Sequence, residues 1–173
     1  FCQNNQWAIS VPVRVQSRIP LYQRAAGFGM PGIQVDGNDV LASYAVTRKN
    51  LDEARAGQGP RLIEALTYRI GAHTTSDDPT KYRMDAETAS WVAKDPIVRY
   101  ARYLRGRGEG DDFFTAAATE AEDFSADLRR RTLELEVPST DLIFDHVYSE
   151  QHPVMIAQKQ WLADYEASLG GTA

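Results

Sequence analysis

Two strand-like segments separated by a helical segment stand in the first half of the chain. Residues 33–35 alternate apolar and polar positions before a polar turn, and residues 61–69, RLIEALTYR, follow Pro60 as a second strand-like segment. Between them apolar residues recur at the spacing of one helix face. These are Val40, Leu41, Tyr44, Ala45 and Leu51. The order strand, helix, strand is typical of a parallel sheet, so the pattern predicts an α/β fold.

Local signals mark the ends of these elements. Asn38 or Asp39 is the expected N-cap of the helix, which should end near the glycines at 57 and 59. At the start of the chain, apolar Phe1 and Cys2 give way to polar residues 3–6, which predicts a strand that runs into a loop. Residues 8–15 should be extended or loop-like, and residues 27–32 should form a turn.

The second half of the chain has a helical pattern. Pro96 fits the first turn of one helix, and a longer helix is predicted from apolar residues spaced 4, 4, 3 and 4 apart. That longer helix carries Phe113, Ala117, Ala121, Phe124 and Leu128. Residues 141–148 and the segment after Pro153 should add two more helices. The composition changes near residue 92, so we expect an α/β domain at residues 1–92 and a helical tail at residues 93–173.

Composition narrows the classes of function. The chain has 173 residues, of which 19 are Lys or Arg and 24 are Asp or Glu, so its formal net charge is −5. An acidic total does not favour binding to nucleic acid, and no apolar run is long enough to predict a membrane span. The single cysteine cannot form an internal disulfide. The missing initiator methionine and the abrupt strand end at Cys2 lead us to expect a fragment.

The loop of residues 4–7, Asn-Asn-Gln-Trp, is the first candidate site. It leaves a strand at its carboxyl end, where open α/β sheets bind ligands. An Asn amide oxygen is a hard, neutral ligand suited to magnesium beside a phosphate, and a backbone carbonyl two residues later could be a second ligand. Ordinary turn chemistry also explains two adjacent asparagines, and from spacing alone it is the favoured interpretation because such pairs are common.

Residues 69–83 are the second candidate site. This polar loop is too long for a simple connection, and such loops are often functional. His73 could contact a phosphate or transfer a proton, while Arg69 and Arg83 could hold a carboxylate or phosphate. A solvated loop with a turn at residues 77–79 is the alternative interpretation.

Other polar or aromatic residues favour structural roles. His146 and His152 lack metal-ligand spacing, the basic run at residues 129–131 should form a solvated helix face, and Trp91 and Trp161 should pack. The chain contains no nucleophile elbow, P-loop or GxGxxG motif.

Three separated segments, in order, resemble the alpha subunit of thiamin-diphosphate-dependent 2-oxo acid dehydrogenases. They are FCQNNQWAISVP at residues 1–12, GFGMPGIQVDGNDV at residues 27–40 and LIEALTYRIGAHTTSDDPTKYR at residues 62–83. The segment WVAKDPIVRYARYL also fits. The first segment is similar to the end of the family's cofactor motif, whose Gly-Asp-Gly start the chain lacks. The resemblance implies the C-terminal part of a parallel-sheet thiamin-diphosphate-binding fold followed by a helical tail used in subunit packing.

The resemblance also implies roles for individual residues. Asn5 and the backbone carbonyl of Trp7 should bind Mg2+, and His73, the expected catalytic residue, should contact the cofactor's diphosphate near the reacting centre. Four loop positions match residues linked with ordering the loop and accepting the lipoyl domain. They are Arg69, Asp77, Tyr82 and Arg83. Thr74 stands where animal branched-chain enzymes carry a regulatory phosphoserine.

The implied reaction is oxidative decarboxylation of a branched-chain 2-oxo acid or pyruvate, with acyl transfer to a lipoyl domain. The implied partners are a beta subunit, in an alpha2-beta2 heterotetramer, and a lipoyl-bearing acyltransferase. The chain alone should be inactive, because the family's site lies between the two subunits. The loop is more similar to bacterial and branched-chain subunits than to mitochondrial pyruvate enzymes, which implies a bacterial cytoplasm rather than a mitochondrial matrix. An acetoin dehydrogenase alpha subunit and a non-catalytic α/β interaction module are the alternatives.

Overall fold

A three-stranded parallel sheet organises the first part of the chain. The computed structural model describes residues 1–170. The sheet has the order β1 (Cys2–Asn4), β5 (Leu62–Leu66) and β4 (Gly32–Asp36), and both ladders are parallel. Leu66 of the central strand pairs with Asn4 on one side and with Asp36 on the other. The three strands therefore end at the same edge, which is where the candidate loops begin.

The remaining elements surround or follow this sheet. They are the short strands β2 (Trp7–Ala8) and β3 (Val11–Pro12), two 3-10 helices (Leu21–Phe28 and Pro79–Lys81), and the helices α1 (Val13–Gln16), α2 (Val40–Arg55), α3 (Asp85–Val92), α4 (Pro96–Gly106), α5 (Asp111–Leu133), α6 (Leu142–Asp145) and α7 (Pro153–Ser168). The prediction of a parallel α/β fold with a helical second half is confirmed. Asp39 caps α2 by accepting a hydrogen bond from the Ala42 N–H.

The hydrophobic core lies between the sheet and α2. Val35, Ile63 and Ala65 form the buried cluster, and Ala42 and Val46 of α2 pack against it. The central strand β5 is buried on both faces, as expected for a strand flanked by two parallel neighbours.

A small antiparallel ladder follows the first strand. Trp7 pairs with Pro12, and Val13 then donates its N–H to the Gln6 carbonyl at 2.8 Å. The chain turns into α1 at Val13, so the prediction that residues 8–15 are extended or loop-like is wrong for the last three of them. A proline restricts the backbone of the residue before it. Pro12 itself has an extended conformation and is the N-cap residue of α1.

The 3-10 helix at Leu21–Phe28 was not predicted from the pattern, and it lies close to β4. A Cβ atom on Gly32 would stand 2.1 Å from the Tyr22 carbonyl oxygen, so only glycine fits there. The close approach brings the Tyr22 backbone to the middle of the sheet.

Arg99 fixes α4 to the turn between β4 and α2. Its guanidinium donates to Asp36 Oδ2 and to the Asn38 carbonyl, both at 2.9 Å, and pairs with Asp39 at 3.3 Å. The hydrogen bond to Asp36 raises the pKa of Arg99 above its ordinary value. Asp95 caps the same helix through the N–H groups of Ile97 and Val98.

The chain divides into two compact units, the first at Phe1–Thr115 and the second beginning at Ala116. The sheet and helices α1 to α4 belong to the first unit, whereas α6 and α7 belong to the second. The domain boundary near residue 92 stays a prediction. Across residues 1–170, no helix is both long enough and apolar enough to cross a membrane.

Candidate functional site

Two consecutive asparagine side chains shape the turn after β1, which we call the Asn5 turn (residues 4–7). Asn4 Oδ1 accepts the Gln6 N–H at 3.0 Å, and Asn5 Oδ1 accepts the Trp7 N–H at 3.1 Å. Gln6 has a φ of 71°, in the left-handed region that non-glycine residues rarely adopt. Both asparagines therefore perform turn chemistry, and the Asn5 oxygen keeps one lone pair for a further partner.

The strand before this turn is longer than the sequence pattern indicates. β1 runs through Asn4, which is 8% exposed and donates its amide N–H to Glu64 at 2.7 Å. Glu64 was not a candidate residue. The sequence does indicate its importance, because Glu64 is an acidic residue inside the apolar run of β5. A charge buried there needs hydrogen-bonding partners.

The loop at residues 69–83 contacts the Asn5 turn directly. The Arg69 N–H donates to the Asn5 carbonyl at 3.2 Å, and its guanidinium Nη2 donates to the Ile9 carbonyl at 2.6 Å. The rings of Trp7 and Tyr82 pack with their centroids 5.3 Å apart. Two candidate segments that are far apart in sequence thus form one surface at the carboxyl ends of the strands.

Tyr82 is the centre of a hydrogen-bond network inside this loop. Its hydroxyl accepts from Arg69 Nη2 at 2.8 Å and donates to Asp77 Oδ2 at 2.6 Å. The same Asp77 oxygen accepts the His73 backbone N–H at 2.8 Å. The hydrogen bonds from Tyr82 and His73 lower the pKa of Asp77, while desolvation, followed by the bond to Asp77, raises the pKa of Tyr82.

Arg83 closes the base of the loop. Its guanidinium donates to the carbonyls of Arg69 and Ile70, and to that of Gly71 at 3.1 Å. It also lies over the Tyr68 ring, 5.5 Å from the centroid. Since Arg69 and Arg83 both donate to backbone carbonyls, they hold the shape of the loop in this arrangement. The turn predicted at residues 77–79 is present, with Asp78 Oδ1 accepting from Thr80.

His73 and Thr74 lie at the exposed end of the loop. Within the described part of the chain, the His73 imidazole forms no hydrogen bond, and its link to the network is through its backbone. The Thr74 hydroxyl lies 3.2 Å from that of Ser76. The structure therefore brings Asn5, Trp7, Arg69 and Tyr82 together and leaves the His73 side chain open to solvent.

The donor set of the site suits a magnesium ion beside a phosphate. Mg2+ prefers oxygen ligands, and Asn5 Oδ1 has a lone pair left after the Trp7 N–H has bound. Trp7 Nε1 and the Tyr68 hydroxyl are buried without a hydrogen-bond partner at this edge of the sheet. No cluster of three or more His, Cys, Asp or Glu side chains with metal-binding geometry occurs in residues 1–170.

The remaining candidates have structural roles. Trp91 stacks on Tyr68 with centroids 5.3 Å apart, and Arg130 and Arg131 pair with acidic neighbours on α5. His152 Nδ1 accepts the Val154 N–H at 3.3 Å and caps α7. Trp161 stacks on Tyr165 but is 66% exposed.

The sequence was compared with protein families and with characterised proteins. The family model described as "Dehydrogenase E1 component" matches residues 1–119. The chain belongs to this family. It is 46% identical over 164 residues to the 3-methyl-2-oxobutanoate dehydrogenase subunit alpha of Mycobacterium tuberculosis, a match that covers 94% of this chain and 45% of the relative.

Two further relatives carry a different name. The pyruvate dehydrogenase E1 component subunit alpha of Acholeplasma laidlawii is 43% identical over 163 residues, covering 90% of this chain and 46% of the relative. The subunit of the same name from Staphylococcus aureus is 51% identical over 108 residues, covering 61% of this chain and 29% of the relative. This E1 chain spans about half the length of the first relatives it matches.

Proposed function

We propose that this chain is part of the alpha subunit of a 2-oxo acid dehydrogenase that uses thiamin diphosphate and Mg2+. The observation that carries the proposal is the direct contact between the Asn5 turn and the 69–83 loop at the carboxyl edge of a parallel sheet. That edge is where open α/β sheets bind ligands. Family membership supports the same conclusion.

In this proposal the Asn5 turn holds the metal. Asn5 Oδ1 and the Trp7 carbonyl are the two oxygen ligands from this chain, and His73 contacts the diphosphate from the loop. The bond from the Trp7 N–H fixes the direction of the Asn5 oxygen before any ligand arrives. When bound, thiamin diphosphate supplies the chemistry that releases carbon dioxide from the 2-oxo acid, while the protein binds and orients it.

The 69–83 loop presents a shaped surface to a lipoyl domain. Arg69 and Tyr82 fix the loop to the Asn5 turn, and Asp77 holds the backbone at His73. Arg83 closes the base. The hydrogen bonds of these four residues hold the loop together and join it to the segment after β1, so we assign them to ordering the loop and accepting the lipoyl-bearing acyltransferase. Thr74, exposed at the end of the loop, is a candidate for regulation by phosphorylation.

The substrate is a branched-chain 2-oxo acid or pyruvate, because relatives of both names match over most of this chain. We propose that a beta subunit completes the site in an alpha2-beta2 heterotetramer. The named relatives are bacterial, and we place this protein in the bacterial cytoplasm.

A non-catalytic interaction module with the same fold is the competing hypothesis. A module that had lost its site would have no need to keep Asn5, His73 and Asp77 together with the network that orders the loop. An acetoin dehydrogenase would keep them, and the substrate assay below separates it from a 2-oxo acid dehydrogenase.

The test is a turnover assay with the full-length alpha subunit reconstituted with its beta subunit. The assay would compare 3-methyl-2-oxobutanoate, pyruvate and acetoin, with an artificial electron acceptor and then with a lipoyl domain. We expect turnover of a 2-oxo acid that requires both thiamin diphosphate and Mg2+, and acylation of the lipoyl domain. Turnover of acetoin alone would favour the acetoin enzyme, and no cofactor-dependent turnover of any of the three would favour the module.

A further inference from the structure

A carboxylate is buried at the centre of the sheet, where the proposed chemistry does not use it. Glu64 is 1% exposed and is the largest fully buried side chain in the described chain. It lies in the middle of β5, two residues before the edge that carries the Asn5 turn. Burying a carboxylate is costly unless hydrogen bonds compensate the loss of water, so its partners show what holds it there.

Three N–H donors from three different elements bind Glu64. Asn4 Nδ2 of β1 donates to Oε1 at 2.7 Å. The backbone N–H of Tyr22, in the 3-10 helix, and Gln34 Nε2 of β4 donate to Oε2 at 2.9 and 3.2 Å. Oε1 therefore accepts from β1, whereas Oε2 accepts from β4 and from the 3-10 helix that contains Tyr22.

The bond to Glu64 determines which way the Asn4 side chain faces. An amide side chain has a donor end and an acceptor end, and the two ends are nearly the same shape. Glu64 accepts from the donor end, which leaves Asn4 Oδ1 to accept the Gln6 N–H at 3.0 Å. Rotating the amide by half a turn would place an oxygen against the carboxylate and an NH2 group against the Gln6 N–H, so both hydrogen bonds would be lost.

The Gln6 N–H is part of a backbone that needs such support. Gln6 has a φ of 71°, a conformation that costs free energy for an L-residue with a side chain. The next residue, Trp7, carries the proposed carbonyl ligand, and its N–H orients the Asn5 oxygen. A path of hydrogen bonds thus runs from Glu64 through Asn4 to the Gln6 backbone, which is joined covalently to the two residues that carry the proposed metal ligands.

We propose that Glu64 is a positioning residue for the metal site: its carboxylate fixes the orientation of the Asn4 amide and thereby the turn that presents Asn5 Oδ1 and the Trp7 carbonyl to Mg2+. This inference rests on the proposed function, and it adds a residue that does not touch the metal, the cofactor or the substrate. Partners of this indirect kind orient metal ligands, and their loss typically weakens metal binding by about 10- to 100-fold.

The test reverses the polarity of the Glu64–Asn4 hydrogen bond. In Glu64→Gln the amide oxygen that accepts from Tyr22 and Gln34 leaves the NH2 group facing the Asn4 NH2 group, and Asn4→Asp puts two carboxylates together. The double variant Glu64→Gln/Asn4→Asp lets the introduced amide donate to the introduced carboxylate. Its amide oxygen can still accept from Tyr22 and Gln34, because those two donors share one oxygen of Glu64. The double variant therefore restores every hydrogen bond in the path.

The measurement is calorimetric titration with Mg2+ of the full-length alpha–beta assembly, in saturating thiamin diphosphate, together with the thermal midpoint without metal. We expect each single variant to raise the Mg2+ dissociation constant by about 10- to 100-fold, and the double variant to recover most of that loss. Glu53→Gln is the matched control. It removes the ion pair with Arg61 at 3.1 Å near the start of β5, so it should lower the thermal midpoint without changing Mg2+ affinity.

Three outcomes would overturn the inference. Glu64→Gln could lower only the thermal midpoint and leave Mg2+ affinity at the wild-type value, which would make Glu64 structural alone. The double variant could bind Mg2+ no better than Asn4→Asp, which would show that the restored hydrogen bonds do not restore the metal site. This comparison can be made even when the Glu64→Gln variant does not assemble. Finally, the wild-type assembly could bind neither Mg2+ nor thiamin diphosphate. That result would contradict the proposed function itself, whereas the first two outcomes contradict only the role of Glu64.

Discussion

Adjacent residues of the same type perform different tasks in the Asn5 turn. Asn4 is 8% exposed, and its amide bonds to both Glu64 and the Gln6 N–H. Asn5 is half-buried, and its side chain forms one hydrogen bond, to the Trp7 N–H. The difference follows from their positions, because Asn4 is the last residue of β1 beside the buried Glu64, whereas Asn5 lies beyond the strand. Asn4 therefore orders the turn, and Asn5, the more exposed of the two, is the side chain proposed to bind the metal.

Substituting Asn5 should affect the metal more than the fold. We expect Asn5→Ala in the full-length alpha–beta assembly to raise the Mg2+ concentration needed for half-maximal activity at least about tenfold, with partial rescue by excess Mg2+. The measurement is initial rate against Mg2+ concentration. Asn50→Ala is the matched control, because the Asn50 side chain donates to the Val46 carbonyl within α2, away from the Asn5 turn. Unchanged activity at limiting Mg2+ would show that Asn5 is only a turn residue.

The lowered pKa of Asp77 predicts how the loop depends on pH. A carboxylate whose pKa is lower in the folded protein contributes stability above its unfolded pKa of about 3.9, and that contribution is lost as the pH falls through the folded value. We expect the His73 amide to be protected from hydrogen exchange at neutral pH, with the protection lost only below about pH 4. Tyr82→Phe removes the main cause of the lowered pKa of Asp77. In this variant the His73 amide should therefore lose its protection from exchange at a higher pH than in wild type. Identical profiles for the two proteins would contradict this.

Residue types predicted the candidate positions but not all of their partners. Asn5, Arg69 and Tyr82 were chosen from the sequence, and the structure brings them to one surface. Glu64 was missed because its meaning depends on Asn4 and Tyr22, which lie 60 and 42 residues away. No local pattern records such distant hydrogen bonds.

At the scale of elements, the 69–83 loop is held by polar contacts rather than by a core. Its internal order comes from Tyr82, Asp77 and Arg83, whereas residues 70–76 are all exposed. Segments that bury few apolar groups have low local stability and open readily. The loop is therefore an element whose order a bound ligand can change.

Limited proteolysis should report that change. We expect trypsin to cleave the full-length alpha–beta assembly at Arg69, Lys81 or Arg83, and cleavage to slow when thiamin diphosphate and Mg2+ are present. Thr74→Glu should reduce the protection, because its charge repels the diphosphate as well as Asp77 and Asp78. Thr74→Gln is the uncharged control. Equal cleavage rates with and without cofactor, for wild type and Thr74→Glu, would mean that the cofactor does not order this loop.

Elements with a helical period of apolar residues or with a capping residue were predicted well from the sequence, and elements with neither were not. The starts of α2 and α4 follow from Asp39 and Pro96, which act within a few residues. The 3-10 helix at Leu21–Phe28 and the four-residue α1 have too few turns to show a period. Their conformation depends on contacts with the sheet, such as the Tyr22 N–H to Glu64.

At the scale of the whole molecule, the Asn5 turn supplies only part of the proposed metal site. The Asn5 turn offers two of the ligands proposed for Mg2+, an ion that takes six in near-octahedral geometry. The His73 imidazole is exposed and forms no hydrogen bond with the described residues. A site of this kind needs further oxygens from the cofactor, from water or from other protein segments.

The isolated chain should therefore bind thiamin diphosphate weakly. We expect calorimetry of residues 1–173 with thiamin diphosphate and Mg2+ to show no binding tighter than the millimolar range, about −4 kcal/mol. The full-length alpha–beta assembly, measured under the same conditions, is the positive control. Micromolar binding by residues 1–173 alone would show that this part of the protein holds the cofactor without help.

The strand order also determines when the site can form during folding. β1 and β4 both pair with β5 and not with each other, so neither ladder exists until β5 is in place. Asn4 and Glu64 are 60 residues apart, and closing so long a loop is slow compared with forming a helix such as α2. The Asn5 turn is synthesised before β5, yet the hydrogen bond from Asn4 to Glu64 cannot form until β5 is present. Because the 69–83 loop follows β5 directly, both halves of the site should acquire structure together, in one late step.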